Sequence, residues 1–151
     1  QVASCGDDSN VRVTDLRDSS SSNFGVFHLL DGVHDGPCHT VRWHPSNAHL
    51  LLTAGLDSTV KLHDLRRPGV PVHVFRGHCP YSITRCAIHR PEFITAGDCD
   101  GSGGSDRFSV VTCGEKSDKI SMYNAGTGAT ISRGLLGAEV CLCACGLYSG
   151  A

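Results

Sequence analysis

No stretch of this sequence approaches the roughly 18 consecutive apolar residues of a membrane-crossing helix, and its first residues, Gln1-Val2-Ala3-Ser4, lack the basic-then-apolar run of a secretory signal. Charge of one sign is equally scarce. Thirteen Lys and Arg against 15 Asp and Glu leave a formal net charge of −2, which gives none of the basic face that usually grips nucleic acid or an anionic membrane. Neither membrane association nor direct nucleic-acid binding is expected. Aromatic residues make up only 6% of the chain, with a single Trp and a single Met. No Gly-Lys-Ser/Thr phosphate loop and no nucleophile elbow occur, which removes the two commonest local signatures of nucleotide and acyl-transfer chemistry.

What is present is a 40% hydrophobic content, enough to build a core in a 151-residue chain, and nine cysteines. That count is odd. Cys5, Cys86 and Cys113 sit in apolar, strand-like runs, and Cys141, Cys143 and Cys145 alternate with apolar residues. Free cysteine behaves as a small buried hydrophobe. The expectation is therefore reduced thiols in an intracellular protein of the cytoplasm or nucleus rather than a secreted disulfide scaffold.

Helical periodicity is absent, and an internal repeat stands in its place. Val2-Ala3-Ser4-Cys5-Gly6-Asp7-Asp8-Ser9-Asn10-Val11-Arg12-Val13-Thr14-Asp15-Leu16-Arg17 aligns with Leu52-Thr53-Ala54-Gly55-Leu56-Asp57-Ser58-Thr59-Val60-Lys61-Leu62-His63-Asp64-Leu65-Arg66, and the offset from Asp15 to Asp64 is 49 residues. A looser third copy runs Val111-Thr112-Cys113-Gly114, then Asp118 to Asn124, with a turn one residue longer. Each copy is a short apolar strand ending at glycine, a polar turn carrying Asp, and an alternating strand, which is a hairpin pattern. Two further strand candidates separate the copies. Strands are predicted at 26–30, 39–44, 50–54, 59–64, 71–75, 82–89, 108–113 and 119–124, four to a unit.

Four-stranded units of roughly 40 to 45 residues, with Gly-His before one strand and a Trp-Asp-like pair ending another, are the pattern of propeller blades. Here Gly77-His78 supplies the first element and Val33-His34-Asp35 keeps its histidine, while the second reads Thr14-Asp15, His63-Asp64 and Tyr123-Asn124. On these residues the sequence resembles the WD40-repeat family. The resemblance implies an all-β fold, a partial propeller of four-stranded antiparallel blades. Residues 1–17 then form the C-terminal half of a blade, 18–66 one repeat, 67–124 a repeat with an inserted loop at about 91–107, and 125–151 the start of a further blade. Closed propellers have roughly 4 to 8 blades, so about three blades read as a fragment.

The resemblance also implies a hydrogen-bonded brace in each unit: His34, Thr53, Asp57 and His63 in one, and His78, Thr112, Asp118 and Tyr123 in the other. A carboxylate in a tight turn can satisfy unpaired backbone amides while gripping an imidazole from a neighbouring loop. Such residues are structural, and no catalytic role is assigned to them. Nine histidines among many Ser and Asp permit any triad one cares to draw.

No metal or other cofactor is expected. Asp98-Cys99-Asp100-Gly101-Ser102-Gly103-Gly104-Ser105-Asp106 places oxygen ligands at alternate positions, as a calcium loop does, but its glycine is misplaced and no glutamate closes it. Cys38-His39 with His44, and Cys141, Cys143 and Cys145, lack compact zinc spacing. The 97–107 stretch reads as a mobile surface loop, and Trp43 as blade packing rather than a peptide-stacking site.

The most particular feature is Asp-Leu-Arg, repeated at Asp15-Leu16-Arg17 and Asp64-Leu65-Arg66. It resembles the Asp-x-Arg ending of WD proteins that act as substrate receptors of cullin-RING ubiquitin ligases. The expected function is a non-catalytic scaffold binding other proteins through Asp15, Arg17, Asp64 and Arg66. The alternatives are a receptor that docks a cullin-RING ligase adaptor through those motifs, and a chromatin or histone-binding WD protein.

Overall fold

The computed structural model describes residues 1–17, 26–76, 88–95, 108–114 and 119–135. Among them the chain is all β, with no helix. The strands are β1 (Val2–Cys5), β2 (Val11–Thr14), β3 (Val26–Leu30), β4 (Cys38–Trp43), β5 (Leu50–Gly55), β6 (Val60–Asp64), β7 (His73–Phe75), β8 (Ile88–Thr95), β9 (Phe108–Gly114), β10 (Lys119–Asn124) and β11 (Thr130–Leu135). They form three antiparallel sheets ordered β1-β2-β3, β4-β5-β6-β7 and β8-β9-β10-β11.

The 49-residue repeat is visible in the backbone. The β1–β2 and β5–β6 turns each hold a serine in the left-handed region, Ser9 at φ 64° and Ser58 at φ 62°. Those two positions differ by the same 49 residues. A non-glycine residue there is uncommon, so its recurrence marks one turn geometry built twice.

Two hydrophobic clusters lie between the sheets. Val11, Val13, Leu30, Val33, Cys38, Leu51 and Leu65 fill the seam between the first and second sheets. Leu52, Ala54, Val60, Leu62, Phe75, Val110 and Tyr123 belong to the seam between the second and third. Leu51 and Leu52 are adjacent on β5 and both fully buried, yet they enter different clusters. Successive side chains of a strand point to opposite faces, so a central sheet is apolar on both. Burying a leucine side chain contributes about 1.5 to 3 kcal/mol.

Two boundaries differ from those predicted. β8, Ile88–Thr95, meets the end of the strand expected at 82–89, of which residues 82–87 lie outside the described residues, and takes in the first part of the insertion expected at 91–107. The register against β9 shifts between His89 and Glu92, after which Phe93 faces Val110 and Ile94 faces Ser109. Pro91 falls inside that irregularity, where a residue without an N–H is tolerated in a sheet. In sequence Phe108–Thr112 is the better match to the second strand and leaves 91–95 to an insertion, while Phe93, packed against the second cluster, holds the segment in the sheet.

The sheets are also phased one strand later than the sequence divisions. β3 pairs with β2, β7 with β6, and β11 with β10. Residues 130–135, placed in sequence at the start of a further blade, complete the third sheet instead. The 97–107 loop with its calcium-like spacing, and Cys141, Cys143 and Cys145, lie outside the described residues.

Candidate functional site

Two polar constellations stand out: one buried within the second sheet and its entering loop, the other exposed at its opposite end. The buried one begins at Gly55, which closes β5 and has no side chain because His34 lies against its backbone. A Cβ on residue 55 would meet the His34 ring at 2.5 Å. The His34 imidazole, 4% exposed, then reaches three partners. Its Nδ1 is 3.0 Å from Asp57 Oδ1 and 3.2 Å from Thr59 Oγ1, and its Nε2 is 2.8 Å from Thr53 Oγ1.

Asp57 ties this ring to the turn. Its Oδ1 accepts from the Thr59 amide at 3.0 Å and hydroxyl at 2.7 Å, its Oδ2 accepts from the Asp35 amide at 3.1 Å, and Lys61 Nζ stands 3.7 Å away. Lys61 also donates to the Val33 carbonyl at 2.6 Å. Burial pushes the Asp57 carboxyl up, but hydrogen bonds from His34 and Thr59 outweigh it and hold the group below the usual carboxylate range.

One proton arrangement satisfies the whole chain. His34 donates Nδ1–H to Asp57, so its Nε2 accepts the Thr53 hydroxyl, whose oxygen accepts Nε2–H of His63 at 3.2 Å. His63 is buried, and burial, followed by the charges of His34 and Lys61, lowers its pKa to about 4. Thr53, His34 and Asp57 have the connectivity of nucleophile, base and orienting carboxylate. Thr53 is fully buried. A substrate carbonyl cannot approach its oxygen, so the arrangement holds backbone together rather than reacting.

The third sheet is wired differently. Tyr123, at the place His63 takes in the second, donates its hydroxyl to the Arg76 carbonyl at 2.8 Å and packs on Phe75 with ring centroids 5.0 Å apart. Thr112 is buried and faces Ser121 in register, as Thr53 faces Lys61. His78 and Asp118 lie outside the described residues. The first sheet carries Asp8 paired with Arg12, at the positions of Asp57 and Lys61 less 49.

The exposed constellation is the Asp-Leu-Arg corner, and its two copies share one geometry. Asp15 Oδ1 accepts from the Arg17 amide and Nε, both at 3.0 Å, and Oδ2 from Nη2 at 2.7 Å. Asp64 Oδ1 accepts from the Arg66 amide and Nε, both at 2.9 Å, and Oδ2 from Nη2 at 2.7 Å. Asn124 repeats the backbone half of the device, its Oδ1 accepting from the Gly126 and Thr127 amides at 2.9 and 2.8 Å. A side-chain oxygen bonding an amide two residues on is the Asx turn. The arginine bonds bring the Asp64 carboxyl down to about 2, and the same cause lowers Asp15.

Arg17 and Arg66 both line one cleft of about 770 Å³ between the first and second sheets, with Trp43, His44, His49 and Leu65 among its other walls. The 44–49 turn forming one wall is pinned by His44, whose Nδ1 accepts from the Ser46 and Asn47 amides at 3.2 and 3.1 Å. Its ring meets Phe93 and Phe108 edge-on, at 4.7 and 4.3 Å. Burial lowers the His44 pKa, which suits its role as acceptor. Trp43 packs against the first cluster and lines the cleft as well. Thr59 and Lys61 were not singled out in sequence, and His44 was weighed only as a zinc ligand. The Pro45-Ser46-Asn47 turn after His44 is the one signal that points to that residue.

Two antiparallel four-stranded sheets and a three-stranded one, each carrying the same Asx corner after β2, β6 or β10, define the blades of a β-propeller. The comparisons with known proteins point the same way. Residues 28–64, from β3 through β6, match the family model described as WD domain, G-beta repeat. Over those residues the chain is similar to the WD40-repeat family. It is similar to the WD-40 repeat-containing protein MSI4 of Arabidopsis thaliana, 34% identical over 83 residues, or 52% of this chain and 16% of that protein. A ribosome biogenesis protein WDR12 homolog of Culex quinquefasciatus is 27% identical over 115 residues, 76% of this chain and 26% of that protein. The RbAp48-related WD40 repeat-containing protein prw1 of Schizosaccharomyces pombe is 34% identical over 79 residues, 51% of this chain and 17% of that protein. The chain thus spans about a quarter or less of these relatives.

Among solved structures, the WD40 beta propeller domain of Doa1 superposes with a TM-score of 0.63 at 15% identity, covering 90% of this chain and 36% of that one. A chain of a mitotic checkpoint complex gives 0.65 at 19% identity, covering 88% and 35%. These two likenesses speak to the fold alone.

Proposed function

We propose that the chain is part of a non-catalytic protein-interaction scaffold whose contact surface includes the face carrying Arg17 and Arg66. The observation that carries this reading is the repeated corner. Two arginines with side chains 83% and 61% exposed stand on one cleft, each oriented by an aspartate beneath it. The one nucleophile-like array described above is closed to solvent. Arginine offers paired donors to a partner's carboxylates.

The finer reading is a receptor that docks a ligase adaptor, and the matching placement of the two Asp-Leu-Arg corners supports it. A histone reader would need carboxylates facing a basic tail, whereas this cleft is lined by arginine and histidine. An intracellular setting, cytoplasmic or nuclear, agrees with Cys5 and Cys38 as free thiols.

The test is charge reversal of both arginines, Arg17→Glu with Arg66→Glu, followed by affinity purification of the full-length protein. Loss of partners from the wild-type set is expected. An adaptor of a cullin-RING ligase among those lost identifies the receptor, and an unchanged set overturns the assignment of this face.

A further inference from the structure

Resting on the scaffold reading, we propose that the cleft between the first two sheets is a groove for one kind of ligand, an acidic peptide segment carrying an apolar residue between its carboxylates. Three features lead there.

The first is charge. Arg17 and Arg66 both line the cleft, and among the described residues that line it none is a carboxylate. The aspartates that orient the arginines lie underneath, with side chains 20% and 13% exposed against 83% and 61% for the guanidinium partners. What a ligand meets is therefore the cationic side of each pair.

The second is unused donor capacity. The pairing engages Nε and Nη2 of each arginine. A guanidinium has five N–H donors in a fixed plane, so donors remain for a second carboxylate. The intramolecular pair also holds the side chain in place beforehand, which lowers the entropy lost when a ligand binds.

The third is the floor. Trp43, Pro45 and Ala48 supply apolar surface to the same cleft as the two arginines. Trp43 is half-buried against the core, and the turn beside it is fixed by His44. Such a floor suits a leucine or phenylalanine held between two acidic flanks, and a wholly polar acidic segment would leave it uncovered.

Trp43 lines the cleft, so the part of the protein's tryptophan emission that is lost in Trp43→Phe reports occupancy. The probe is the tryptophan-free peptide acetyl-Asp-Glu-Leu-Phe-Glu-Asp-amide, titrated into the full-length chain at low salt. A saturable change in Trp43 emission is expected, with affinity falling as ionic strength rises. Replacing Leu-Phe by Ala-Ala in the peptide, or introducing Arg17→Glu with Arg66→Glu in the protein, should each weaken binding by about tenfold or more. His49→Glu, a single change at an exposed wall of the cleft, should weaken it independently. Thermal melting shows whether each variant is folded.

The proposal is overturned if the acidic peptide gives no saturable change, if a peptide with lysines in place of its acids binds as well, or if the folded double variant binds like wild type. Partner loss without a peptide response would sink the groove and leave the scaffold reading standing. A peptide response without partner loss would do the reverse.

Discussion

Gly55 and His34 are in such close register that the imidazole occupies the space any side chain at residue 55 would need, with 2.5 Å from an added Cβ to His34 Cγ. The strand end and the loop ring are therefore fitted to each other, and each limits what the other position can hold. His34 cannot swing aside without releasing Asp57 and Thr53.

Gly55→Ala should accordingly destabilise the protein by about 1 to 3 kcal/mol, the usual cost of overpacking a fixed interior. Urea denaturation of the full-length protein measures it. Wild-type stability would mean that the ring moves freely, and the brace would then be looser than its distances indicate.

Asp57→Ala removes an acceptor serving two backbone amides, a hydroxyl and an imidazole. Leaving such groups unpaired in a partly buried site should cost roughly 1 to 3 kcal/mol. Asp57→Asn keeps one acceptor oxygen and should fall between the alanine variant and wild type. Equal melting temperatures for all three proteins would show that the turn folds without the carboxylate.

His63 predicts a particular response to acid. In the unfolded chain its imidazole takes up a proton near pH 6.5, but in the folded chain only near pH 4. Between those values the unfolded state binds more protons, so stability falls as pH drops, by about 3 kcal/mol in all. Above pH 6.5 this loss is absent. Asp57, depressed in the folded state, adds a second loss at lower pH, as the medium passes below the ordinary carboxylate range. His63→Gln retains an N–H for Thr53 and does not titrate, so melting temperature against pH should flatten between 6.5 and 4. A slope unchanged by the substitution would place the titrating group elsewhere.

The parts of this fold that were legible in sequence are those with a short-range physical signature. β3 is predicted at 26–30 and found at Val26–Leu30, because its apolar run is bounded by polar turn residues. The Asp-Leu-Arg corners show as a repeat because a side-chain oxygen must fall two residues before the amide it caps. The continuation of β8 past residue 90 was missed for the opposite reason. Residues 108–112 match the second-strand pattern better than 91–95 do, and what keeps 91–95 in a sheet is Phe93 packing against a cluster drawn from distant residues such as Leu52 and Val110. The cleft was equally hidden: Arg17 and Trp43 are 26 positions apart in the sequence and meet only across a seam between sheets.

The displacement of sheets relative to sequence units has a consequence for synthesis. Because β3 and β7 each follow an Asp-Leu-Arg corner yet pair backwards onto β2 and β6, no sheet can finish when its own corner leaves the ribosome. The first waits for residues 26–30 and the second for residues 73–75. Each blade is sealed by the opening strand of the unit after it, and chains fold N-terminal parts first as they emerge at roughly 5 to 20 residues per second. The nascent chain thus carries one incomplete sheet edge forward at every step, a moving seam that closes only as the next unit arrives.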